Sequence, residues 1–354
     1  VIRRLLSLFE RENLKGGEKM RKIYAGMVTG ILVFSIVSLA AAPDHTHVVK
    51  EGLHHFNAWK SQGIEHGKAL GLLKQYYLTA GMQVYSAGSD ITVIGYGGKS
   101  VLLLHEPGTW SSSGFDSTLF GKPPGTPGGG GGGGSSPDTW PTNSSAILLD
   151  PFDWQGGVFH NPDLFNAIKS DLQSAGYSVS YSKNSQVTIS LIESKLDKGV
   201  VFNRGHGGYD SSTGNVIICS GERWSESKYT TEQSNGWVIR AWIDHEGEYY
   251  DFFTYTPGLI SNYYSNLPNS LIYMESCEGL HNSTMADAWT GAGAGAYMGW
   301  TKSVTVTYGD STAEENFHDL CINGLSVCEC VDKGYRSPFT GGKLGYSGTG
   351  TLGL

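Results

Sequence analysis

The run Val200-Val201-Phe202-Asn203-Arg204-Gly205-His206-Gly207-Gly208 carries an apolar stretch to a glycine-flanked histidine. A second run, Leu271-Ile272-Tyr273-Met274-Glu275-Ser276-Cys277, carries another to a cysteine. An imidazole and a thiol are the two groups a cysteine hydrolase needs. A free thiol is only a few per cent thiolate at neutral pH, so a neighbouring base has to raise that fraction. His206 is the candidate base and acid, and Cys277 the candidate nucleophile. Gly207 and Gly208 have no side chain to block a backbone N–H from a developing oxyanion, and the amide of Cys277 itself is a natural second donor. His206 and Cys277 are 71 positions apart, so only folding can bring them together.

The text around both runs alternates. Residues 146–149 read as an apolar strand, 162–175 as an amphipathic helix, 177–181 as a strand, 187–196 as ambiguous and 199–203 as a buried strand. Such alternation predicts crossover units in a mostly parallel sheet, with ligands at the carboxyl ends of the strands. His206 falls just past such an end. Residues 237–244 and 249–255, joined by His245-Glu246-Gly247-Glu248, read as a hairpin inserted between the two reactive positions. Pro257 suits the first turn of a helix over 256–266, and 271–274 returns to the sheet to deliver Cys277. Beyond it, 283–289 reads as a helix and 297–301 as a strand.

Upstream, the segment 121–137 holds four prolines and an unbroken glycine run, 128–134, that cannot bury apolar surface. It reads as a flexible linker, assigned to 121–143. It separates a small α+β domain over 43–120 from a larger one over 144–354, whose inserted hairpin covers about 222–256. In the smaller domain, residues 51–81 read as helical, and 90–96 and 99–105 as strands around Gly97-Gly98. His45, His47, His54, His55 and His66 lack supporting carboxylate or cysteine spacing and read as solvated, although His45 would be the third residue of a chain beginning at Pro43, as in amino-terminal copper sites.

Net charge is −8, while residues 1–42 carry seven Lys/Arg against three Glu, leaving the rest near −12. That acidity argues against a nucleic-acid partner. Met20-Arg21-Lys22, an uncharged run over 23–39 and Ala40-Ala41-Ala42 follow the order of a secretory signal, so 1–42 reads as an upstream extension plus signal peptide, with Met20 the expected start. The segment 23–42 is also long enough for an uncleaved anchor, the one route to a membrane that the sequence offers. Of five cysteines, an exported chain would oxidise any that can pair; with Cys277 free, the remaining Cys219, Cys321, Cys328 and Cys330 allow three pairings. Cys321-x6-Cys328-x-Cys330 lacks a matched pair for zinc, so neither metal nor cofactor is expected.

The order of hydrophobic strand, His-Gly, second hydrophobic strand and Ser-Cys resembles the signature shared by caspases, legumains, clostripains and gingipains. The stretches Glu275-Ser276-Cys277-Glu278-Gly279, Met285-Ala286-Asp287-Ala288-Trp289 and Gly295-Ala296-Tyr297-Met298-Gly299-Trp300 are similar to gingipains and related bacterial domains. The resemblance covers about residues 145–310. It implies a caspase-like α/β sandwich, preceded here by the small α+β domain, with His206 and Cys277 as a dyad, Gly207 as an oxyanion donor and a protein or peptide as substrate. It also implies that 43–120 serves as a removable propeptide or a targeting module. Glu275 and the 71-residue separation depart from the group, the second being accounted for by the hairpin. Members choose the cleavage-site residue through a polar pocket; Asp150, Asp153, Glu222, Asp244, Glu246 and Asp251 are candidates to line one, with Glu222 also the candidate to orient the imidazole. An acidic lining would favour Arg or Lys.

Three other classes compete. A Ser esterase is excluded by the absence of any Gly-x-Ser-x-Gly. A non-catalytic binding or surface protein on the same scaffold is opposed by the presence of both His206 and Cys277. The 50 glycines show no repeat period, which weakens a purely structural role. His281 and His318 are rival bases that follow no strand and are expected to be solvated.

Overall fold

The computed structural model describes residues 45–87, 91–96, 99–104, 136–245, 248–338 and 340–354. The signal segment, the glycine run and Glu246 lie outside them. The chain divides into two compact units, 1–48 and 49–354. In the first, the described residues 45–48 open helix α1 (His45–Ser61); everything below concerns the second.

After α1, the single helix expected over 51–81 is broken at Gly63, whose φ of 80° is left-handed, and resumes as α2 (His66–Thr79). Three strands follow: β1 (Gln83–Ala87), β2 (Ile91–Tyr96) and β3 (Lys99–Leu104). Beyond the linker come β4 (Ser145–Asp150), α3 (Pro162–Ser174), β5 (Ser178–Lys183), α4 (Ile189–Ser194) and β6 (Val200–Arg204). The ambiguous stretch over 187–196 thus resolves as the helix α4, capped by the Thr188 side chain. Next are β7 (Gly207–Asp210), β8 (Asn215–Arg223), α5 (Thr230–Ser234), β9 (Val238–His245), β10 (Glu248–Tyr255), α6 (Pro257–Tyr263) and β11 (Leu271–Glu275). The chain closes with α7 (Thr284–Gly291), β12 (Ala296–Trp300), α8 (Val306–Cys321), α9 (Val327–Asp332) and β13 (Leu344–Gly348).

The fold is α/β. A six-stranded sheet runs β13-β12-β11-β6-β4-β5 and is parallel except at β13, which pairs antiparallel with β12. Its central strands are buried along their whole length, which is why they read as apolar runs, interrupted only toward their carboxyl ends by the buried Asn203, Arg204 and Glu275. Alternate residues serve opposite faces. Ala146, Leu148, Val200, Phe202 and Tyr273 pack with Phe165 and Ile168 of α3 and Ala313 and Phe317 of α8. Ile147, Leu149, Val201, Ile272 and Met274 pack on the other side with α4, α6, α7 and with Val216, Ile218, Phe253 and Tyr255 of a second sheet.

That second sheet has seven strands in the order β1-β2-β3-β9-β10-β8-β7. It is antiparallel except where β3 meets β9 in parallel, Val101 opposite Arg240. The inserted hairpin is β9 and β10, and it is the bridge: the strands preceding the linker join it on one side and the strands following His206 on the other.

Candidate active site

β6 and β11 pair in parallel with one constant register, from Leu271↔Val200 to Glu275↔Arg204. The Gly205 N–H donates to the Glu275 carbonyl at 3.0 Å and extends the ladder past the last pair. His206 and Cys277 each stand two residues beyond that pair, in step with one another. Neighbouring strands lie about 4.8 Å apart, so the register itself sets the two ends side by side. A Cβ at Gly207 would stand 2.8 Å from Ser276 Oγ and 2.9 Å from the Cys277 carbonyl oxygen; only glycine fits that approach.

At His206 the chain crosses from one sheet to the other. The Cys219 N–H donates to the His206 carbonyl at 2.9 Å, and β7 continues as an edge strand antiparallel to β8. Bonded and open positions alternate in such a pair, so the next one, Gly207 opposite Ile218, is open and the Gly207 N–H points away from β8. An oxyanion donor needs that freedom.

The imidazole is enclosed by Phe152 and Phe159, whose ring centroids lie 4.6 and 4.9 Å from its own. Its Nε2 meets Gln155 Oε1 at 2.9 Å. Burial, and then the positive charges of Arg204 and His245, push His206 down to about 3, so the ring is neutral at physiological pH. The Cys277 thiol donates to the Val304 carbonyl at 3.6 Å. Glu278, directly after it, has φ 58°, a left-handed turn that costs a non-glycine residue energy and is typical of functional sites.

Beneath the two ends lies a buried ionic cluster. Arg204 donates through Nε and Nη2 to Asp310 of α8 at 2.6 and 2.9 Å, through Nη1 to Asp150 at 3.4 Å, and to the carbonyls of Phe159 and Val158 at 2.7 and 2.9 Å. Asn161 also donates to Asp310, at 2.8 Å. Glu275 is raised well above the usual carboxyl range by burial and by the Asp310 carboxylate, which makes it a neutral acid. A Cβ at Gly309 would stand 2.8 Å from Glu275 Oε1, so α8 passes over this residue only because Gly309 has no side chain.

The carboxylates expected to line a pocket are spent elsewhere. Glu222 accepts from the Ile189 N–H, Lys228 and Tyr229 at 3.0, 2.8 and 2.9 Å; it holds the start of α4, and the imidazole's partner is Gln155 instead. Asp150 serves Arg204 and the Tyr181 hydroxyl, Asp153 serves His160 and Lys183, Asp251 serves Arg240, and Asp244 bonds Tyr249.

All five cysteines are free, against the expectation of bridges among Cys219, Cys321, Cys328 and Cys330. Burial pushes the Cys219 and Cys321 thiols up to about 12, so neither is a ready nucleophile. His281 stacks on Tyr209 with centroids 4.2 Å apart, and the His318 ring lies 3.3 Å from Asp171; neither ring is buried. Sequence reasoning missed Gln155, Phe152, Phe159 and Asp310. A signal for the first three existed: Phe152, Gln155 and Phe159 follow the carboxyl end of β4, where ligands of a parallel sheet gather. No family model matches this chain, and no curated protein is similar to it.

Proposed function

We propose that this protein is an exported cysteine endopeptidase with a caspase-like, gingipain-like catalytic domain. The observation that supports the reading is the β6–β11 register up to Glu275↔Arg204, with His206 and Cys277 each two residues further along and the Gly207 backbone packed against the Cys277 carbonyl. The order of charged, apolar and small residues over 20–42 supports export.

In this mechanism the Cys277 thiol gives its proton to His206 as the sulfur attacks the carbonyl carbon of a peptide bond. The oxyanion takes the Gly207 and Cys277 N–H groups, and the imidazolium protonates the departing amine to leave a thioester. His206 then removes a proton from water, whose oxygen displaces the sulfur and regenerates the thiol. With the resting imidazole held near 3, the thiolate forms together with the attack instead of persisting as an ion pair.

The second reading is a non-catalytic binding protein on the same scaffold. The low basicity of His206 favours it. Cys277→Ala separates the two: abolished peptide cleavage and abolished labelling by a thiol-reactive peptide probe are expected. Undiminished cleavage in that variant establishes the binding reading.

A further inference from the structure

Gln155 is 6% exposed and directs its amide at the His206 ring, 51 positions away in sequence. Its amide Nε2 is buried and has no hydrogen-bond partner among the described residues. The segment that carries Gln155 is held from both flanks. On one side Asp153 takes His160, Lys183 and Asn184 at 2.7, 3.2 and 3.4 Å, while the Trp154 N–H donates to Asn184 Oδ1 at 2.8 Å. On the other, the Val158 and Phe159 carbonyls are tied to the buried Arg204 guanidinium. A side chain carried on a segment braced in this way has less freedom to lose when it makes one directed bond.

A neutral imidazole has one N–H and one lone pair, and the partner of one nitrogen decides which is which. We propose that Gln155 is the positioning residue of the dyad: its Oε1 accepts the proton of His206 Nε2 and so keeps Nδ1 as the ring's basic nitrogen. The consequence for catalysis rests on the endopeptidase reading; the tautomer does not. An amide turned the other way round would present its NH2 to Nε2, place the ring proton on Nδ1 and remove the base there. A carboxylate at 155 would also hold the Nε2 proton but would favour the imidazolium. The other charged and titratable groups acting on the ring are Arg204 from β6 and His245 from β9, and both oppose a charge on it. Glutamine thus orients the ring without charging it.

The test uses the full chain with nitrogen-15 histidine in a Cys277→Ala background, read by long-range proton–nitrogen correlation, with His206→Asn identifying the signal. The proton is expected on Nε2, and Gln155→Leu is expected to move a large share of it to Nδ1. In the chain retaining Cys277, Gln155→Leu lowers kcat by about tenfold to a hundredfold with KM unchanged. Gln155→Glu restores kcat and raises the acid limb of the pH profile by about one unit or more. A wild-type ring protonated on Nδ1, or a Gln155→Leu chain with tautomer and kcat both unaltered, overturns the assignment. If no form of the chain cleaves peptides, the endopeptidase reading falls while the nitrogen spectra still decide the role of Gln155.

Discussion

The ends of β6 and β11 are built alike and yet leave their reactive residues in different surroundings. Each places a buried ionisable residue two positions before the reactive one, Arg204 before His206 and Glu275 before Cys277, and the two pairs are in register. From there the strands part. β6 crosses into the second sheet, and its histidine is roofed by Phe152, Gln155 and Phe159. β11 instead turns sharply at Glu278, with its thiol directed to Val304. A shared ladder aligns the two strand ends, whereas the segments that pack over one of them orient the imidazole and lower its basicity.

Breaking the shared base of the two ends has the largest expected effect. Arg204→Met leaves Asp310 and Asp150 buried without their cation and should cost about 3–5 kcal/mol, measured as a fall in unfolding free energy in urea. A loss below about 1 kcal/mol would show that the cluster does not tie the ends together. Next is the gap between them. Gly207→Ala forces β7 away from Ser276 and Cys277, and a displacement approaching 1 Å should lower kcat/KM about a hundredfold. Wild-type kinetics in this variant would remove Gly207 from the site.

The pH dependence of stability sharpens the comparison with smaller effects of opposite sign. Glu275 is raised in the folded chain, so its contribution is complete below about 4.5, where an unfolded glutamate ionises, and is lost as pH rises above that value. His206 is lowered to about 3 from about 6.5, so its contribution is complete above about 6.5 and is lost as pH falls toward 3. Glu275→Gln should flatten the first decline and His206→Asn the second, each followed by urea midpoints across pH. Slopes unchanged in both variants would assign the two declines to other groups. The smallest effect is expected at Glu222, whose partners are Ile189, Lys228 and Tyr229: Glu222→Gln should leave kcat/KM unchanged.

Much of the six-stranded sheet was legible because strands buried on both faces are predominantly apolar, as at 200–202 and 271–274. The seven-stranded sheet was not. Its hairpin could be read from residues 237–255, but β7 and β8 follow a His-Gly-Gly that looks like a plain turn, and the β3–β9 pairing joins segments more than a hundred residues apart. Glu222 was misread for a related reason: a carboxylate's partner is decided by what folds against it, here the start of α4.

The sequence alone determined which residues could do chemistry, since residue type and an apolar run ending at His206 or Cys277 are local properties of the chain. The tertiary structure decided what those residues have become. Only packing brings the segment from Phe152 to Phe159 over the imidazole and partly shields it from water. Only the alignment of β6 with β11 sets Gly207 against Cys277. Desolvation and register act through neighbours distant in sequence, and no local pattern encodes them.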